Sequence, residues 1–225
     1  MPEKDSAQSL ELRVSHGSEV DAPRSSAAKR IMDLTLGSLL LVIALPIMLI
    51  IAVYILVTSG RPVLFRQARV GLHGQKFTML KFRTMVPEAE SMREWLSDDR
   101  VQSGTQSQTF KLKADPRIAR GGALLRRWSL DELPQIFNVL AGSMSLVGPR
   151  PHTFEDVAEY RKSAYERLDV LPGITGPWQV GGRCELSGDE SLRLDLEYVQ
   201  HGSILVDASL LVRTLRAVVS GRGAM

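Results

Sequence analysis

The chain has 225 residues, of which 44% are apolar and 24% charged, with 28 Lys and Arg against 25 Asp and Glu. These values exclude a wholly disordered chain and a collagen-like repeat, and a net charge of +3 is too small to argue for nucleic acid as a partner. One cysteine, Cys184, excludes an internal disulfide.

Residues 1–28 carry a net charge of −2 and are polar; they read as a mobile tail in which His16 has no role. Residues 29–60 form a membrane segment. Within it, residues 34–57 hold no charge and are dominated by Leu, Ile and Val. As a helix this run is about 36 Å long, enough for a hydrocarbon core of about 30 Å. Pro46 interrupts it, and basic residues flank both ends: Lys29 and Arg30 before, Arg61, Arg66 and Arg69 after. The positive-inside rule places both flanks on the cytoplasmic side. A helix broken at Pro46 and turned back satisfies that rule; a Pro-kinked single span is the competing reading. Residues 61–130 then carry +8, where an acidic surface or phosphates would be met.

Residues 60–62 mark a turn. Short strands are expected over 62–65 and 76–82, separated by a Gly-bounded turn at 71–74 with His73 as a loop residue. Residues 88–96 read as helical, 102–109 as a flexible polar loop and 155–170 as a helix. Residues 206–219 read as an amphipathic helix, lying on the membrane surface or packed on the core.

The chain holds no GxxxxGK[ST] loop, no GxGxxG after a strand and no His-rich metal pattern. Its chemistry concentrates at Ser129-Leu130-Asp131-Glu132-Leu133-Pro134-Gln135, ahead of an apolar helical run. Ser129 with Glu132 fits a capping box, but Pro134 would then break a helix bond; Asp131 as N-cap leaves Pro134 in the tolerated first turn. In either case the helix dipole favours ionised carboxylates, as a metal ligand or a carboxylate nucleophile requires. Arg126 and Arg127 lie just upstream, Asp115-Pro116-Arg117 further up, and Lys81-Phe82-Arg83 on the expected strand. Gly148-Pro149-Arg150-Pro151 follows the helix. Arginine outnumbers lysine 21 to seven, and its paired donors suit phosphate. Several cations around an acidic pair point to a phosphorylated, metal-bound substrate.

Four motifs in order make the pattern specific: Lys81-Phe82-Arg83-Thr84-Met85, the Ser129–Gln135 run, Gly148-Pro149-Arg150-Pro151 and Pro172-Gly173-Ile174-Thr175-Gly176. The set, from about Lys29 to Gly221, resembles the bacterial sugar transferase family of monotopic polyprenyl-phosphate phosphoglycosyl transferases, in their small form. The resemblance implies an α+β fold: an N-terminal re-entrant membrane helix broken at a proline, then a compact cytoplasmic catalytic domain (61–225) of helices, short strands and surface amphipathic helices. It implies transfer of a sugar-1-phosphate, by general likeness a hexose-1-phosphate, from a UDP-sugar to undecaprenyl phosphate, with release of UMP. This would be the first membrane step of exopolysaccharide or related glycan synthesis, on the cytoplasmic face of the bacterial inner membrane. Asp131 resembles the nucleophile and Glu132 the Mg2+ ligand. Lys81, Arg83, Arg117, Arg126 and Arg150 stand as substrate-binding positions and Pro46 as the helix break. Leu45, Ser143 and Cys184 depart from the family's usual Ser, Asp and Asn; the last two bear on substrate choice or only on packing. Two other classes compete. A membrane-anchored, non-catalytic assembly subunit would use the arginines to hold anionic lipid, and a phosphatase acting on lipid diphosphates would release inorganic phosphate.

Overall fold

The apolar run folds as one helix, α1 (Ala27–Ser59), with Pro46 inside it. The expected break at Pro46 does not divide the helix in this computed structural model, which describes residues 27–89, 92, 115–181 and 187–220. A proline removes a single N–H and crowds one preceding carbonyl, so the turns on either side keep their remaining bonds. The tail up to residue 26, most of the helix expected over 88–96, the loop 102–109 and Cys184 lie outside the described residues.

α1 buries Asp33, Gly37, Ala44, Met48, Ile51 and Ile55. Steps of three, four and seven residues place these on one face of a 3.6-residue helix. That face packs along the rest of the molecule from end to end, whereas Val42, Ile43, Ile50 and Val57 on other faces are exposed. Polar side chains fasten the first turns. Lys29 Nζ meets Asp207 Oδ2 at 2.6 Å. Arg30 donates to the carbonyls of Val139 at 2.7 Å and Leu140 at 2.8 Å. Asp33 Oδ1 accepts from Ser145 Oγ and from the Leu146 N–H, each at 3.0 Å. The far end is held by Arg83, which donates to the carbonyls of Ser59, Gly60 and Arg61.

β1 (Leu64–Val70) and β2 (Lys76–Phe82) form an antiparallel hairpin, Leu64 opposite Phe82 and Val70 opposite Lys76. β2 has the expected bounds. β1 reaches further than residues 62–65, because pairing with β2 carries Arg66 and Arg69 into the strand. The connecting turn holds His73 at φ 51°. Next come α2 (Gly122–Arg127), a 3-10 turn over Leu130–Glu132, and α3 (Gln135–Ala141). Asn138 docks α3 on the hairpin: its Oδ1 accepts from the Leu80 N–H at 3.0 Å and its Nδ2 donates to the Thr78 carbonyl at 2.7 Å. Ser143 closes the end of α3 by accepting from Asn138 Nδ2 and donating to its carbonyl.

β3 (Ser145–Val147) pairs in parallel with β4 (Gly173–Thr175). Gly148 and Gly173 lie where these backbones touch, and a Cβ on either would collide with the other segment. Between the strands, the helix expected over 155–170 is two pieces. α4 (Phe154–Ala158) starts on a capping box of Thr153 with Asp156, and a 3-10 segment, Lys162–Asp169, follows. The bend between them points the Tyr160 hydroxyl at His152, 2.9 Å from Nδ1. α5 (Pro177–Gly181), α6 (Gly188–His201) and α7 (Ile204–Ser220) complete the fold. α7 is amphipathic, as expected, and packs on the core through one face. Asp207 and Leu210 are buried against the core, while Leu205 (83% exposed) and Leu215 (68%) face outward.

One apolar core joins α1 to Phe82, Leu125 and Ile136, and a second joins Met79, Val139, Met144, Val147, Tyr198 and Leu210. The acidic pair sits on the edge of the first, in the turn against β2.

Candidate active site

Neither capping arrangement forms. Ser129 takes a left-handed conformation, φ 54°, and makes no side-chain cap bond. α3 begins only at Gln135, behind Pro134. Asp131 and Glu132 instead occupy their own 3-10 turn, pinned by packing on β2.

The two carboxylates have different surroundings. Glu132 Oε1 receives Lys81 Nζ at 2.8 Å and Arg150 Nη2 at 2.9 Å. Lys81 comes from β2, and Arg150 from the loop after β3. Burial pushes the Glu132 carboxyl up, but Arg150 and Lys81 outweigh it and hold the group far below the usual carboxylate range. Arg150 is correspondingly raised by Glu132. Lys81 is lowered by burial and by Arg150, against the pull of Glu132. Asp131 is buried and has no ion pair among the described residues. Burial and then the Glu132 charge raise its pKa to about 6, although Lys81 and Arg126 pull it down. The helix-dipole argument therefore fails for Asp131, because desolvation and a like charge next door outweigh the peptide dipoles.

The remaining sequence candidates divide. Arg126 acts on Asp131 and on Asp115 through its charge. Arg117 forms a close pair with Asp115, Nη2 to Oδ2 at 2.7 Å. Arg83 is not brought to the dyad: β2 ends at Phe82, and the guanidinium turns into the carbonyls that end α1. The sequence reading missed Arg69, which faces the same cluster. Its Nη1 donates to the Pro151 carbonyl at 3.1 Å, and burial and then the Arg150 charge lower its pKa. It was read as a membrane flank; its place on a strand two residues from the turn was the available signal.

A carboxylate of raised pKa, beside a second one already neutralised by two cations, suits nucleophilic attack on a phosphorus within a cationic pocket.

The family model described as bacterial sugar transferase matches residues 24–221. The chain is 40% identical over 205 residues to an undecaprenyl-phosphate galactose phosphotransferase of Salmonella typhimurium, covering 90% of this chain and 43% of that protein. It is 36% identical over 205 residues to the exopolysaccharide production protein ExoY of Rhizobium meliloti, covering 90% of each. It is 43% identical over 205 residues to a UDP-glucose:undecaprenyl-phosphate glucose-1-phosphate transferase of Xanthomonas campestris pv. campestris, covering 88% of this chain and 40% of that protein. The chain thus spans less than half the length of several curated relatives and nearly all of ExoY.

Proposed function

As the chain belongs to the bacterial sugar transferase family, we propose that it moves a hexose-1-phosphate from a UDP-sugar to undecaprenyl phosphate and releases UMP, as the first membrane step of exopolysaccharide or related glycan synthesis. The observation that carries this reading is the split dyad: among the described residues Glu132 holds two cations, Lys81 and Arg150, and Asp131 holds none.

In the first step an Asp131 carboxylate oxygen bonds to the sugar-bearing phosphorus. The bridging P–O bond breaks, and its electron pair leaves with UMP. In the second, a phosphate oxygen of undecaprenyl phosphate attacks the same phosphorus and the Asp131 carboxylate departs unchanged. Two steps of this kind replace one direct transfer between two anions. Arg150, Lys81 and Arg126 bind and orient the diphosphate, which is the larger part of catalysis in phosphoryl transfer.

The metal this reading calls on is Mg2+, which is held by one or two carboxylates together with substrate phosphates and water. Among the described residues the cation contacts of Glu132 fall on Oε1, and Glu132 is the residue that would hold the ion. Such an ion supplies charge neutralisation for the diphosphate and the leaving nucleotide.

The lipid acceptor requires a site at membrane level. α1 is long and apolar enough to cross a membrane, but its polar fastenings at Lys29, Arg30 and Asp33 and at Ser59–Arg61 tie both ends to one body. The reading we adopt is that both ends of α1 stay on the cytoplasmic side of the inner membrane, and that its exposed face and that of α7 sit among lipid. UMP release from UDP-glucose or UDP-galactose, measured with and without undecaprenyl phosphate, tests the activity. Turnover that depends on lipid supports it. Release of inorganic phosphate instead would indicate the phosphatase, and no release from any UDP-sugar the non-catalytic subunit.

A further inference from the structure

We propose that Arg167, held in place by Asp195, is a positioning residue for Arg150. Together with the half-buried Tyr160 and His152 it forms a polar block that fixes the loop 148–152 so that the Arg150 guanidinium meets Glu132 and the donor's phosphates. The inference rests on the transferase reading above.

The loop is held carbonyl by carbonyl. Gly173 N–H donates to the Pro149 carbonyl at 2.9 Å and Val70 N–H to the His152 carbonyl at 3.0 Å. Arg69 Nη1 donates to the Pro151 carbonyl at 3.1 Å, and Arg167 Nη2 to the Arg150 carbonyl at 3.4 Å. Pro149 and Pro151 have no N–H of their own, so the loop depends on donors from other segments. A small cavity lined by Gly71, Pro149, Arg150, His152, Tyr160 and Arg167 lies beside it.

The donor to Arg150 is the most elaborately supported of them. Arg167 comes from the 3-10 segment, and its Nη2 also meets Asp195 Oδ2 of α6 at 2.5 Å. Its Nη1 donates to the Tyr160 hydroxyl at 2.7 Å and lies 3.1–3.2 Å from the ring nitrogens of His152. Arg167 and Asp195 are both buried, at 6% and 1% exposure. Burying an ion pair costs desolvation that well-packed apolar residues avoid, so the pair is a poor device for stability alone. A rigid fork of donors does what an apolar side chain cannot: it holds the backbone of the residue bearing Arg150 relative to two other segments.

The test is a double-mutant cycle on the full chain, read as kcat and KM for UDP-glucose with undecaprenyl phosphate, and as UDP-glucose binding without lipid. Asp195→Asn keeps the shape and removes the charge. It should lower kcat/KM roughly tenfold, chiefly through KM, and the same change in an Arg150→Ala background should add less than about twofold. Tyr160→Phe keeps the ring contacts and removes one acceptor of Arg167. It should give a smaller drop that vanishes in the same background, and it decides the matter alone if Asp195→Asn does not fold. Equal losses in both backgrounds, or no loss in either, overturn the positioning role. A wild type that neither binds UDP-glucose nor transfers removes the transferase reading and this inference with it.

Discussion

At the scale of single residues, the dyad shows why charge must be weighed in place. Asp131, Glu132, Lys81, Arg126 and Arg150 were legible because they stand in short motifs whose residue types fit phosphate chemistry. The opposite pKa shifts of Asp131 and Glu132 were not, since they depend on which carboxylate receives the cations. Glu132→Gln should abolish most turnover at limiting magnesium while the protein still folds and inserts; near-wild-type activity would remove the ligand assignment. Arg150→Ala and Arg126→Ala each lose a charge-assisted contact of about 1.5–3 kcal/mol and should lower kcat/KM roughly ten- to a hundredfold. Steady-state kinetics check this, and a change below about twofold would return that residue to the solvated surface. His152 gives a pH prediction. Burial and the Arg167 charge lower its pKa to about 3 from an ordinary 6.5. Its contribution to folding is therefore complete above pH 6.5 and is lost as pH falls toward 3, at up to about 1.4 kcal/mol per pH unit. Denaturant unfolding from pH 7.5 to 5 should show His152→Gln with a flatter stability profile than the wild type.

Among the elements, β2 and the turn before it could be read because Gly71 and Gly74 bracket the turn and a strand-forming run follows it. The three-residue strands β3 and β4 could not, since three residues carry no period and the pair exists only through a long-range contact. α1 was legible as an apolar helix, but its docking was not. Asp33, the residue just before the uncharged run, is buried against β3. Lys29 and Arg30 looked like topology signals and are polar fastenings. Arg83 shared a motif with Lys81 and belongs to the end of α1. Arg83→Ala leaves three carbonyls without their donor and should cost about 1.5–3 kcal/mol of stability. KM for the UDP-sugar should stay within about twofold of wild type, in contrast to Arg150→Ala. A thermal melt beside steady-state kinetics separates the two; a large rise in KM with an unchanged melt would return Arg83 to the substrate site.

For the whole molecule, the account joins a membrane-level body to covalent chemistry at one carboxylate. With both ends of α1 fastened to the same body, cysteine labels placed before Lys29 and after Arg61, in a Cys184→Ser background, should both react only from the cytoplasmic side. Labelling from opposite faces would make α1 a full span. The chemistry itself is read most directly from the intact mass of the enzyme mixed with UDP-sugar and magnesium in the absence of lipid. The wild type should gain the mass of one sugar-phosphate and lose it when undecaprenyl phosphate is added. Asp131→Asn should fold, melt no lower than the wild type at pH 7 because it removes a buried charge, and gain nothing. A wild type that stays at its own mass, together with an Asp131→Asn protein that still turns over, would contradict the account.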